Sequence, residues 1–350
     1  MQPRRTPSYD LRRALMVALV APLFACANSS GEVNVATPPG ELPALILPAD
    51  LLSDGTKPAE RHERSARSKA HRRESSEPSE ASPKAAGGLV AASPQPTSYA
   101  LVIGIENYRD VPEATGARGD AESFATMMRT TLGVPSENVR LLLDERASRS
   151  DINKEMRWLA ANVPAGGRVY FYYSGHGAPE PTKGISYIVP YDGDPSYLAD
   201  TALPMSDVVK GLEGTKAKEV VAFADSCFSG AGGRSVLPEG TRPLVRVAKT
   251  KAAGRVSLLA ASTGAEISGP APDGDGGLFT HHLLEAIGTG AADIDIDGDG
   301  QISLGELSEW VSPRVTREAK RANREQHPEL TVGSKMGSAD ELIIGWGYAR

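Results

Sequence analysis

Two residues of this chain bring together a nucleophile and a proton-exchanging group. Cys227 sits in Ala224-Asp225-Ser226-Cys227-Phe228-Ser229-Gly230, and His176 in Ser174-Gly175-His176-Gly177. A thiolate is a strong nucleophile, and imidazole is the side chain that changes charge near neutral pH. Each residue directly follows an apolar run, 219–223 before the cysteine and 168–173 before the histidine. Both therefore fall just past predicted buried strands, beside glycines, at one edge of a sheet. That placement suits nucleophilic catalysis. The bland alternatives are a small buried cysteine and a core histidine. Gly-His-Gly after a strand packs poorly as core but leaves room for a site.

The elements that must carry these residues alternate in type. The run 99–105 is continuously apolar, as for a central parallel strand. Residues 120–132 have helical spacing, with Ala121, Phe124, Met127 and Met128 on one face. A strand over 139–143 follows. A helix over 150–162 comes next, with Ser150 as its cap and Ile152, Met156 and Leu159 inward. After the His-bearing strand come a hairpin around 185–189 and a helix over 206–212. The Cys-bearing strand, a strand over 255–260 and a helix over 278–287 follow. A long helix over 304–323 is expected to break or kink at Pro313. A strand over 341–344 closes the domain. Alternating strands and helices predict an α/β fold with a mostly parallel sheet flanked by helices.

The chain has 350 residues, a net charge of −6, 40% hydrophobic and 23% charged residues. Nothing in that balance points to nucleic acid. Residues 1–26 read as an export signal: Arg4, Arg5, Arg12 and Arg13 precede a short apolar stretch over 14–25. Leu23-Phe24-Ala25-Cys26 resembles a bacterial lipobox, which makes Cys26 a lipidation site and predicts a lipid anchor in the cell envelope. On a Gram-negative host that means the outer membrane or periplasm. Ala25-Cys26-Ala27 also suits ordinary signal cleavage, which predicts a secreted protein. Membrane contact is then by the anchor only. On either reading Cys227 is the single cysteine left, so no internal disulfide framework is possible. Residues 27–97 are rich in Pro, Ser and Ala and read as a disordered tether. The folded domain is expected over 98–346. The stretch 231–254 reads as an exposed basic loop carrying Arg234, Arg242, Arg246, Lys249 and Lys251.

Tyr-Ser-Gly-His-Gly and Asp-Ser-Cys-x-Ser-Gly, about 50 residues apart on successive strands, resemble the caspase-like cysteine peptidases. Within them the chain is most similar to metacaspases and bacterial orthocaspases, over about 98–344. The resemblance implies a caspase-like fold and a His176/Cys227 dyad. Cys227 would attack the peptide carbonyl and His176 would protonate the leaving amine. The N–H groups of Gly177 and Cys227 would form the oxyanion hole. Caspases proper carry a glutamine two residues before the nucleophile and bind aspartate. Here Asp225 stands there, and an anionic wall attracts a cation. The resemblance implies that Asp120, Ser174 and Asp225 bind arginine or lysine before the scissile bond. Asp120 reads equally well as a helix-capping or first-turn carboxylate. Arg and Lys in the basic loop and around 61–73 offer self-cleavage sites.

Residues 295–306 fit an EF-hand Ca2+ loop. Asp295, Asp297 and Asp299 stand at positions one, three and five, and Gly300 at the turn. Gln301 offers a carbonyl, Ser303 stands at nine, and Glu306 is the bidentate residue at twelve. An Asp/Gly surface turn is the alternative. Asp192, Asp194 and Asp200 are a second, irregular acidic candidate. The leading reading is an exported cysteine endopeptidase acting on proteins or peptides after Arg or Lys. The alternatives are a catalytically weak caspase-like scaffold and an envelope calcium-binding protein.

Overall fold

The computed structural model describes residues 94–179, 185–226, 254–263, 266, 268–272, 274–288 and 291–346. The export leader, Cys26, most of the tether, Cys227 and the basic loop after it lie outside the described residues.

The first half of the domain runs β1 (Ser98–Gly104), α1 (Ala117–Thr130), β2 (Val139–Leu143), α2 (Arg149–Asn162) and β3 (Arg168–Ser174). Three short strands follow: β4 (Gly177–Pro179), β5 (Ser186–Ile188) and, after α3 (Leu198–Thr201), β6 (Leu203–Pro204). Then come α4 (Met205–Glu213), β7 (Glu219–Asp225), β8 (Val256–Ala260), α5 (Leu278–Gly288) and α6 (Ala291–Ile294). The chain finishes with β9 (Gln301–Ser303), α7 (Leu304–Arg321), β10 (Glu329–Thr331) and β11 (Ile343–Trp346).

Six strands form the central sheet in the order β10-β8-β7-β3-β1-β2. All neighbours are parallel except β10, which pairs antiparallel with β8. The strands are apolar on both faces, as a sheet covered on both sides requires. Period-two alternation sorts them. Ala100, Val102, Tyr170, Tyr172, Val221 and Phe223 face a core shared with α1, α5 and α7. Leu101, Ile103, Val169, Phe171, Val220 and Ala222 face the core of α2 and α4. Phe124 of α1 stacks on Tyr172 at 4.2 Å between ring centroids. Gly104 lets α1 sit directly on β1, since a Cβ there would come within 2.4 Å of the Ala121 side chain.

The α/β fold with a mostly parallel sheet is as expected from the alternation of elements, and four details differ. Ser148, not Ser150, caps α2, accepting the Asp151 N–H at 3.2 Å. Ser148 is extended at φ −63°, ψ 159°, whereas Ser150 is already helical. Pro313 does not end α7, which continues to Arg321. Val311, Val315 and Ala319 stay on the core, and Arg314 Nη1 donates to the Trp310 carbonyl at 3.0 Å. Burial of that face outweighs the roughly 3 kcal/mol a mid-helix proline costs. The final strand, β11, begins at Ile343, two residues later than expected, and joins β9 in a separate two-stranded sheet. The hairpin around 185–189 extends into a three-stranded antiparallel sheet, β4-β5-β6. No helix of the described residues is long and apolar enough to cross a membrane.

Candidate active site

The carboxyl ends of β1, β3 and β7 stand in one row, with Gly104 paired to Ser174 and Ser174 to Asp225. The connection from β1 runs to β2 on one side, and the next strand returns on the other. Sites in open α/β sheets form at such a reversal. Gly175 N–H donates to the Asp225 carbonyl at 3.4 Å, extending the ladder by one step. His176 and Cys227 each lie two residues beyond the Ser174–Asp225 pair. Neighbouring strands are about 4.8 Å apart. Cys227 itself lies outside the described residues, which reach Ser226.

His176 is fully buried, and both ends of its peptide unit are held by tyrosine hydroxyls. Its N–H donates to Tyr108 Oη at 2.7 Å, and Tyr173 Oη donates to its carbonyl at 2.6 Å. The Tyr108 and His176 rings lie 4.8 Å apart. Gly175, at φ +153°, permits this, because a Cβ there would come within 2.5 Å of Tyr108 Oη. His176 Nε2 lies 2.7 Å from the Pro112 carbonyl. A carbonyl only accepts, so Nε2 carries the hydrogen and the lone pair of the neutral ring lies on Nδ1.

The loop carrying Tyr108 and Pro112 is fixed by buried Asp144. Its Oδ1 accepts the N–H groups of Glu106 at 2.9 Å and Asn107 at 3.0 Å, and Arg118 Nη1 meets Oδ2 at 2.8 Å. Burial pushes the Asp144 carboxyl up. The two amides and Arg118 outweigh it and hold the group below its ordinary value.

Asp120 is 7% exposed and Asp225 fully buried. Ser174 Oγ donates to Asp120 Oδ2 at 3.1 Å, and Gly277 N–H donates to the same oxygen at 3.0 Å. Asp120 stands in the first turn of α1, as the alternative reading expects, while Gly116 holds the cap position at φ 80°. Asp225 accepts Ser268 Oγ at 2.5 Å, Thr280 Oγ1 at 2.7 Å and Thr280 N–H at 3.1 Å. Thr280 also meets Tyr172 Oη at 2.7 Å. Gln326, fully buried, backs Ser268 and binds Gly269 N–H at 3.1 Å. Two buried carboxylates thus stand at or against the strand ends that lead to His176 and Cys227, each held by the N-terminal region of α5. Removing one buried donor of this kind costs about 1–3 kcal/mol.

The structure brings together Asp120, Ser174, Asp225 and His176, and sets Gly177 opposite Ile188 at the start of β4. Tyr108, Pro112, Ser268, Thr280 and Gln326 are additional partners that no sequence motif marks, whereas Tyr173 opens the Tyr-Ser-Gly-His-Gly motif. A backbone carbonyl leaves no residue-type signal, and Thr280 meets Asp225 across 55 positions.

At the acidic loop, one oxygen from each of Asp295, Asp297 and Glu306 lies within 4.8 Å of the others. Asp299 turns aside to Gln301 N–H at 2.6 Å and Gln301 Nε2 at 2.8 Å. Ser303 caps α7 in a reciprocal box with Glu306. Gly298 and Gly300 take φ 76° and 81°. Asp192, Asp194 and Asp200 do not gather. Asp192 caps the Arg149 N–H at 2.8 Å and Asp194 the Ser196 N–H at 2.8 Å. They serve loop ends because their spacing follows turns, not a common centre.

A profile of the caspase domain matches residues 97–335. Metacaspase-1 of Ajellomyces capsulatus is 24% identical over 187 residues, 49% of this chain and 52% of that one. A probable protease of a Desulfuromonadales bacterium is 27% identical over 263 residues, 67% of this chain and 31% of that one. The chain thus spans at most about half the length of these curated relatives. Protein GSU0716 of Geobacter sulfurreducens has a similar fold, with a TM-score of 0.50 and 18% identity over 69% of this chain and 95% of that one. With the profile match covering both strand-end motifs, this chain belongs to the caspase domain family.

Proposed function

We propose that the chain is a cysteine endopeptidase that cleaves after arginine or lysine. Cys227 is the nucleophile and His176, through Nδ1, exchanges the proton with the thiol and then with the leaving amine. The N–H groups of Gly177 and Cys227 receive the developing oxyanion. The observation that carries the reading is the Ser174–Asp120 hydrogen bond of 3.1 Å with Asp225 paired to Ser174 on the next strand. Two buried carboxylates and a hydroxyl at one strand-end row suit a guanidinium or ammonium group and repel an acidic one. Pro112 and the two tyrosines hold the imidazole in one orientation, which supports proton transfer from a fixed atom. A peptidyl electrophile ending in arginine is expected to label the wild-type chain once, at Cys227. Equal labelling of Cys227→Ala would sink the proposal. Self-cleavage in the basic loop belongs to the same reading, and identical banding of wild type and Cys227→Ala on incubation would remove it.

The acidic loop fits Ca2+. Asp295 Oδ1 is buried with no hydrogen-bond partner, next to carboxylate oxygens of Asp297 and Glu306. A buried, unmet carboxylate oxygen is costly unless a cation meets it. Asp295, Asp297, Asp299, the Gln301 carbonyl, Ser303 and Glu306 would hold the ion. Bound there, Ca2+ would supply positive charge that ties the loop to the start of α7. Export with lipidation at Cys26 completes the proposal. Cys26→Ser is expected to move the protein from the membrane fraction to the soluble one.

A further inference from the structure

His281 and His282 follow directly on Thr280, the residue that holds Asp225, and Glu285 lies one turn further along α5. One ligand atom from each of His281, His282 and Glu285 lies within 4.8 Å of the other two. His281 and Glu285 are four apart and His282 and Glu285 three apart, spacings that share a helix face. His282 is buried at 7% exposure, and its two ring nitrogens both meet carboxylates. Nε2 lies 2.6 Å from Glu318 Oε2 on α7, and Nδ1 lies 3.1 Å from Glu285 Oε2.

This geometry has a chemical consequence. If Nε2 gives its hydrogen to Glu318, Nδ1 points a lone pair at a second carboxylate oxygen. Two electron-rich atoms at that distance need a cation, either a proton on the ring or a metal ion. Ligands around one Zn2+ sit about 3.3 Å apart when each bond is 2.0–2.1 Å, so the Nδ1–Oε2 separation already suits two ligands of one ion. A carboxylate on the far nitrogen is the usual support of a metal-binding imidazole. His281 is exposed, and its ligand atom lies within 4.8 Å of those of His282 and Glu285.

We infer that His281, His282 and Glu285 form a site for a transition-metal ion of the Zn2+ class, with Glu318 orienting His282 from α7. Two nitrogens and one carboxylate suit Zn2+ better than Ca2+, which takes oxygen ligands. The fourth position is left to water. The site ties α5 to α7 one residue from Thr280, so an ion there braces the wall that holds Asp225.

The test uses the full chain carrying Cys227→Ala, which removes the thiol as a competing ligand, in excess Ca2+, which occupies the acidic loop. Titration with Zn2+ alone is expected to give one site. Its affinity is expected to fall at least about tenfold in His281→Ala and in Glu285→Gln, and about 10–100-fold in Glu318→Gln. His281 and Glu285 face solvent, so these two variants should fold, which circular dichroism checks. With Co2+ as the probe, the visible bands of a four-coordinate ion should appear in the parent and be absent from His281→Ala. Zn2+ is expected to raise the melting temperature of the parent and leave that of His281→Ala unchanged. Zn2+ affinity unaltered by both solvent-facing substitutions would overturn the inference. So would the absence of any Zn2+ binding, which would mean that a proton alone lies between His282 and Glu285.

Discussion

Strands β3 and β7 run side by side from Arg168 and Glu219 at one end to Ser174 and Asp225 at the other. The two ends treat a buried carboxylate in opposite ways. At the first, Arg168 Nη2 meets Glu219 Oε1 at 2.5 Å, and the charges cancel within the fold. At the second, Asp225 accepts hydrogens from the Ser268 and Thr280 hydroxyls and the Thr280 amide. A neutralised pair serves the fold alone. On the function proposed above, the oriented carboxylate of Asp225 serves a substrate cation.

Breaking each end should therefore affect different observables. The most severe loss should come from the proposed pair, His176 and Cys227. Cys227→Ala should lower kcat by about 10³-fold or more while leaving the melting temperature near that of wild type; His176→Ala should lower kcat as much and also reduce the melting temperature, because its buried ring is lost. At the opposite end, Glu219→Ala strands the Arg168 charge and should destabilise by about 3–5 kcal/mol. Denaturant unfolding reads that loss, and the activity of the remaining folded molecules should be unchanged. Asp225→Asn keeps the shape of the cage and removes the charge. Turnover of an arginine peptide should fall about 10²-fold in kcat/KM, the range found when one partner of a buried charge pair is lost.

Asp144 sharpens the comparison through pH. Its folded pKa is depressed, so the stability it contributes is present above the ordinary aspartate value near 4 and lost as pH falls through the folded value. Wild type should lose melting temperature over that acid range, and Asp144→Asn should show a shallower loss. The smallest effect is expected at the acidic loop. Glu306→Gln should abolish the rise in melting temperature on adding Ca2+ and leave the preference between arginine and aspartate peptides as it was.

The parts of the site that the sequence makes legible are those where residue type and position agree. His176 follows a seven-residue strand with glycines on both sides, and Asp225 ends the strand before the nucleophile. Asp120 had two readings of equal weight. Asp120 does stand in the first turn of α1, and its contact with Ser174, 54 positions away, is what no sequence pattern reveals. Pro112 is invisible in sequence because its carbonyl, not its side chain, acts. Ser268, Thr280 and Gln326 carry no motif, since a hydroxyl or an amide gains meaning only from the carboxylate it meets. In the fold, the parallel strands were legible from their apolar runs. β10 was not, because a three-residue half-buried edge strand has no run to read. Helix α7 shows the same limit: packing along its whole length overrides what Pro313 dictates locally.

The central claim is that the carboxylates at the Ser174 end of the ladder select a basic residue. The most direct measurement is kcat/KM on two otherwise identical fluorogenic peptides, one ending in arginine and one in aspartate, with Cys227→Ala as the control. Wild type should cleave the arginine peptide at least about 10²-fold faster, and the control should cleave neither. Faster cleavage of the aspartate peptide, or equal rates for the two, would contradict it.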